Sequence, residues 1–268
     1  MEIAHDPKRW GRFDWPAGGA AVAKQLESAA GLSGEMRRKA MSAPDERPKS
    51  VRKFVFDHFR EHAVPPLLEQ IMQRFSLSRA QADEVLHALQ DAHHIALVRG
   101  TQRILMAFPF SAIPTPFRVS TKTGMRYYAN CAWDAIAMHA TLGVDIRVDS
   151  YCHHCAAPIR IDLQDGSVVE QTPEAAIVYL GLPAARWWDD VVFTCSNTMI
   201  FFASDEHQRA WGSCIPGEPG VLLSPQEVHE VGLPIYRTKM DLDYTRPSKQ
   251  ALLAHFAELG LTDDFWKL

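Results

Sequence analysis

Tyr127-Tyr128-Ala129-Asn130-Cys131-Ala132-Trp133-Asp134 leads into Ala135, Met138 and Leu142, apolar residues at helical spacing. The pattern predicts a helix over 131–142 that opens at Cys131. A sulfur in that place meets the positive end of the helix macrodipole, which favours thiolate. Asp134 stands three residues on, on the same helical face, so sulfur and carboxylate can converge on one ligand. A nearby carboxylate opposes the thiolate unless one group holds a shared proton. Such a pair can serve as nucleophile and proton donor. The same residues also read as a small buried Cys and an Asp that only caps the helix.

Downstream, 145–151 and 158–163 alternate as strands, and 191–204 contains the apolar run Met199-Ile200-Phe201-Phe202-Ala203. Ser204-Asp205-Glu206-His207 opens a helix through Trp211, and 250–259 is an amphipathic helix with Gly260 placed to end it. Upstream, Val51, Phe54, Val55, His58 and Phe59 mark one face of a helix. Pro65-Pro66 permits a new helix over 67–75, with Leu68, Ile71 and Met72 on one side. Ser78-Arg79-Ala80-Gln81 reads as a capping box for a third helix with Val85, Leu86 and Leu89 as its core face. Two β-like runs follow, 95–98 and 103–108, and then a connector marked by Pro109, Pro114 and Pro116.

Three helices and a hairpin are the order of a winged helix. The third helix would read DNA, but Asp83, Glu84 and Asp91 stand there against Arg79, so phosphate repulsion makes nucleic acid an unfavourable partner. A structural or dimerising role is expected instead. The fold class is α+β: a leader and linker over 1–50, whose piece 42–50 reads as solvated, a winged-helix-like domain over 51–116, and a domain over 117–268 with a mixed or antiparallel sheet and surrounding helices.

The chain has 268 residues, 47% of them apolar and 22% charged, enough for a real core and too many apolar residues for wholesale disorder. The formal net charge of −4 argues against a general nucleic-acid coat. No run of 18 uncharged apolar residues suggests a membrane span, and the first residues lack a signal-peptide pattern, so a cytosolic setting is expected. Five cysteines, an odd number, do not suit a disulfide-stapled scaffold; none occurs in the first 130 residues. Cys152-His153-His154-Cys155 has the spacing of half a zinc knuckle, and only Cys195 and Cys214, which are not a paired C-x2-C, remain for another half. Cys214, near Pro216 and Gly217, reads as a loop residue, and Cys195 as a core Cys at a strand edge.

The stretch 127–134 resembles the organomercurial (alkylmercury) lyase signature, an aromatic-Ala-x-Cys-Ala-x-Asp segment opening a helix. Ser150-Tyr151-Cys152 with Pro158 resembles that family's Ser-x-Cys…Pro strand pair. Phe193 to Cys195, followed by Phe201-Phe202-Ala203-Ser204, resembles the segment carrying its second active cysteine, although Cys195 lies one residue further from the Phe pair. The likeness spans roughly 51–211, and Cys155 is an addition to the family's pattern. What the resemblance implies is protonolysis of a carbon–mercury bond, with Cys131 and Cys195 binding mercury, Asp134 protonating the carbon, and Cys152 structural. It implies no cofactor, an organomercurial substrate, cellular thiols to remove Hg(II), and a separate mercury reductase to receive it. Cys152 and Cys155 could form an extra metal site. The alternative is a thiol-rich metal-binding or metal-sensing winged-helix protein without turnover.

Overall fold

A computed structural model of the chain describes residues 46–213, 215–217 and 220–268. The first 45 residues of the leader expected over 1–50 and the loop reading of Cys214 lie outside them. Where a solvated linker was expected to run on to residue 50, a helix begins at Arg47.

Helix α1 (Arg47–His62) buries Val51, Arg52, Val55, Phe56 and Phe59. Its inward face is thus centred one residue further round than the spacing of Phe54 and His58 suggests. Helix α2 (Leu68–Phe75) contributes Ile71 to the core. Helix α3 (Arg79–Asp91) starts at the expected capping box: Gln81 N donates to Ser78 Oγ at 3.3 Å, and Ser78 N donates to Gln81 Oε1 at 2.9 Å. Its buried face holds Val85, Leu86 and Leu89, as the spacing predicts.

Strands β1 (Ile95–Leu97) and β2 (Ile104–Ala107) pair antiparallel. The expected connector instead begins with a third short strand, β3 (Phe110–Ser111), paired with β2. An isolated Phe110–Ala129 bridge then carries the chain to the stretch that opens the central helix.

Strands β4 (Arg118–Thr121), β5 (Arg126–Tyr128), β6 (Ile146–Tyr151), β7 (Pro158–Gln164) and β8 (Ser167–Thr172) form one sheet in the order β5-β4-β6-β7-β8. Its pairings are all antiparallel, which decides between the two sheet types left open above. Strand β6 alternates with a period of two: Ile146, Val148 and Ser150 face inward and their neighbours outward. A smaller antiparallel sheet runs β10 (Met199–Phe202), β9 (Ile177–Leu180), β11 (Val221–Leu223).

Helix α4 (Ala132–Leu142) lies between these layers. Nine of its residues are buried, so it is a core helix with no solvated stripe. It ends at Gly143, whose φ of 65° and N–H to the His139 carbonyl close the last turn. Helix α5 (Asp205–Trp211) is capped by Ser204, as expected. Helix α6 (Pro225–Tyr236) packs along α4, and α7 (Lys249–Glu258) packs on α6.

Two contacts bind the helical front to the rest. Arg52, 1% exposed, gives its guanidinium to the Lys239, Asp241 and Leu242 carbonyls that follow α6. Tyr127 Oη donates to the Arg60 carbonyl at 2.6 Å. Among the described residues, no helix is long and apolar enough to cross a membrane.

Candidate active site

Cys131 is the N-cap of α4, with extended backbone at φ −154°, and its Sγ accepts from Asp134 N at 3.3 Å. The cap turns the sulfur back over the first turn of the helix and so beside the Asp134 side chain. Asp134 is 1% exposed. Asn130 Nδ2 donates to its Oδ2 at 2.9 Å, and Tyr236 Oη donates to its Oδ1 at 2.6 Å. Asn130 also donates to the Pro109 carbonyl at 3.2 Å, which ties the carboxylate's partner to the loop after β2.

Cys195 reaches the same point from a different element. The short helix Val191–Phe193 passes into a π-helical turn, Thr194–Thr198, which feeds β10. A π turn holds one residue more than an α turn. That absorbs the extra residue between Cys195 and the Phe201-Phe202 pair while keeping the sulfur inward. The ligand atoms of Cys131, Asp134 and Cys195 all lie within 4.8 Å of one another, and all three residues are buried. Met199 adds a second kind of sulfur, its Sδ 3.8 Å from Cys131 Sγ.

Burial sets the protons here. It pushes the Cys131 thiol well above its ordinary range, with Cys195 and Asp134 adding to the effect. The thiolate expected from the helix terminus is therefore overridden: desolvation of a wholly enclosed sulfur outweighs the partial charge of the dipole. Burial also raises Asp134, against the opposing bonds from Tyr236 and Asn130 and the positive charge of Lys239. The carboxyl is thus a group that holds a proton more readily than an exposed aspartate. Burial lowers the Lys239 amine to about 7, with Arg246 and Arg52 reinforcing the shift and Asp134 opposing it.

These groups border a cavity of about 70 Å³ walled by apolar side chains, among them Phe108, Trp187, Trp188, Val191, Ile235 and Leu252. Two soft sulfurs and a protonatable carboxyl at an apolar pocket can bind a soft metal that carries an organic group and can deliver a proton to it.

Tyr236, Asn130, Lys239 and Met199 belong to this site without having been singled out by sequence. Ser224-Pro225-Gln226-Glu227 announces α6 as a capping box with Pro at the first helical position. Nothing local, however, points from Tyr236 to a carboxylate 102 residues earlier.

Cys152 and Cys155 lie apart from Cys195. Their sulfurs sit 3.5 Å and 3.4 Å from His207 Nδ1, and it is this histidine of α5 that completes a second cluster. Burial raises the Cys152 thiol, but backbone N–H groups of Ala203, Cys155 and His154 and the His207 ring bring it down to about 7.

Residues 110–237 match the family model described as alkylmercury lyase. The match begins later and ends later than the likeness read from motifs, so it takes in α6 and Tyr236. Curated proteins named alkylmercury lyase, from Bacillus cereus and Clostridium butyricum, are each 28% identical to this chain over 150 residues. Those residues are 56% of this chain and 66% of the relatives' length, just under two thirds. A solved structure described as the mercury-bound form of MerB2 is similar in fold, with a TM-score of 0.57 at 17% identity, covering 75% of this chain and 93% of that one.

Proposed function

We propose that the chain is, through residues 110–237, a member of the alkylmercury lyase family and that it cleaves carbon–mercury bonds by protonolysis, with Cys131, Cys195 and Asp134 as catalytic residues. The observation that carries this reading is the buried trio: two thiols and one carboxyl within 4.8 Å of one another at an apolar cavity.

Mercury in R–Hg–X is a soft cation, and sulfur is the softest donor a protein offers. Cys131 displaces X, and its thiol proton leaves as HX. Cys195 then binds as the second sulfur and gives its proton to Asp134. Two sulfur donors push electron density onto the carbon bound to mercury, and Asp134 protonates that carbon. The sum is R–Hg–X plus two Cys–SH giving R–H, HX and a Cys131–Hg–Cys195 bridge. Two external thiols carry Hg(II) away and return both cysteines to the thiol form. Nothing in these steps calls for a resident cofactor. The need for external thiols suits a reducing cytosol, and a mercury reductase is the fitting consumer of the released ion.

Tyr236 and Asn130 fix the carboxyl by one hydrogen bond to each oxygen, which points it for transfer. The helical front, residues 51–116, is proposed as a winged-helix-like brace. Its Arg52 holds the segment that carries Lys239, and the carboxylates of α3 disfavour nucleic acid.

The test is phenylmercury with excess thiol, followed by gas chromatography of benzene. Repeated turnover is the expected result. Stoichiometric mercury binding without benzene would leave a binding or sensing protein in place of a lyase.

A further inference from the structure

We propose that Cys152, Cys155 and His207 form a zinc site, separate from the mercury-handling pair, that pins the β6–β7 turn to α5. Zinc bound to sulfur at about 2.3 Å and to imidazole at about 2.0–2.1 Å in tetrahedral geometry sets the sulfur–nitrogen separation at about 3.6 Å. The two separations here are 3.5 Å and 3.4 Å.

The turn is shaped for this. Cys152 N donates to the Ala157 carbonyl and Ala156 N to the Cys152 carbonyl, both at 2.8 Å, with Ala156 in the left-handed region at φ 58°. Backbone N–H groups of Ala203, Cys155 and His154 aim at the Cys152 sulfur. Such donors share the charge of a metal-bound thiolate. On binding, Zn²⁺ displaces one proton from each thiol to solvent, and His207 gives the lone pair of Nδ1. Cys155 is exposed, so water can supply the fourth ligand. The site meets β10 at Ala203, just past the strand's end, whereas Met199 at its start touches Cys131. A bound ion therefore braces the strand that follows the Cys195 turn.

The experiment uses the full chain with Cys131→Ser and Cys195→Ser, which removes the mercury-handling pair and leaves Cys214 as the one thiol outside the proposed site. Titration with Co(II) alone should give one equivalent bound, with the near-ultraviolet absorption of thiolate coordination, and Zn(II) should displace it. Adding Cys155→Ser and His207→Ala should abolish the signal; circular dichroism checks that each variant is folded. X-ray absorption at the zinc edge of the double-serine protein should show two sulfurs at about 2.3 Å. No thiolate absorption in the double-serine protein, absorption that survives loss of Cys155 and His207, or a zinc shell without sulfur would overturn the proposal.

Discussion

At the scale of single residues, the role proposed for Asp134 sets two demands that pull its pKa in opposite directions. Burial favours the protonated form that can donate to carbon, and the Tyr236 and Asn130 hydrogen bonds favour the ionised form while fixing the oxygens. Tyr236→Phe removes one of the opposing bonds and leaves the ring. Asp134, which must be ionised to take the Cys195 proton, then titrates at higher pH, so the acid limb of the pH–rate profile moves upward; an unchanged limb would mean that Asp134 does not carry that proton. Poorer alignment lowers the maximal rate in the same variant. Cys131 and Asp134 were legible in the sequence because they are i and i+3 on one helix, a relation that spacing alone fixes. Tyr236 was not, because its bond to Asp134 exists only once α6 is laid along α4. The ionisation of Cys131 was not legible either. The dipole is read from position, whereas burial depends on every layer around the helix.

At the scale of elements, Cys131 is the cap of α4 and is proposed as the reactive thiol, and the two roles separate by substitution. Cys131→Ser keeps an oxygen that accepts from Asp134 N, so the fold holds while carbon–mercury cleavage is lost. Cys131→Ala also loses the cap and costs about 1 kcal/mol more, measurable by urea denaturation. The α4–α6 contact is tested at Gly232, where an added Cβ would stand 2.7 Å from Trp133 Nε1. Gly232→Ala forces the helices apart, costs about 1–3 kcal/mol, and slows turnover by moving Tyr236 with its helix; wild-type kinetics would show that the contact does not position the site. Capped or strongly periodic elements such as α3, α4, β6 and β10 were readable from sequence. Strand β8 was not, since its outward exposure leaves no alternation to see. Strands β9 and β11, four and three residues long, carry too little pattern to be told from loops. The π turn after Phe193 registered only as a spacing that was one residue too long.

At the scale of the whole molecule, the helical front is held to the layers around α4 by charge buried among carbonyls, and buried histidines stay neutral. Burial takes His94 down to about 3, with Lys239, Arg52 and Arg246 adding repulsion, and His229 down to about 4, with His139 adding to it. Their unfolded values are near 6.5, so below that pH the unfolded chain takes up protons that the folded one refuses. The contribution of these histidines is complete above about pH 6.5 and is lost as pH drops towards 4. Thermal unfolding by circular dichroism should follow that course, and His94→Gln should flatten it; a midpoint constant from pH 7 to 4 would contradict these burial effects. The α+β class, the three front helices, α4 and the β6–β7 pair followed from sequence pattern, but the packing of distant segments around Asp134 did not. The most direct test of the account is a single turnover without external thiol, using one equivalent of phenylmercury and measuring benzene and protein-bound mercury together. The account predicts one benzene per chain with Hg(II) retained by wild type, and a rate lower by roughly 10²–10⁴-fold for Asp134→Asn, which keeps phenylmercury bound. Equal benzene release by the two proteins, or bound phenylmercury that the wild type never cleaves, would contradict it.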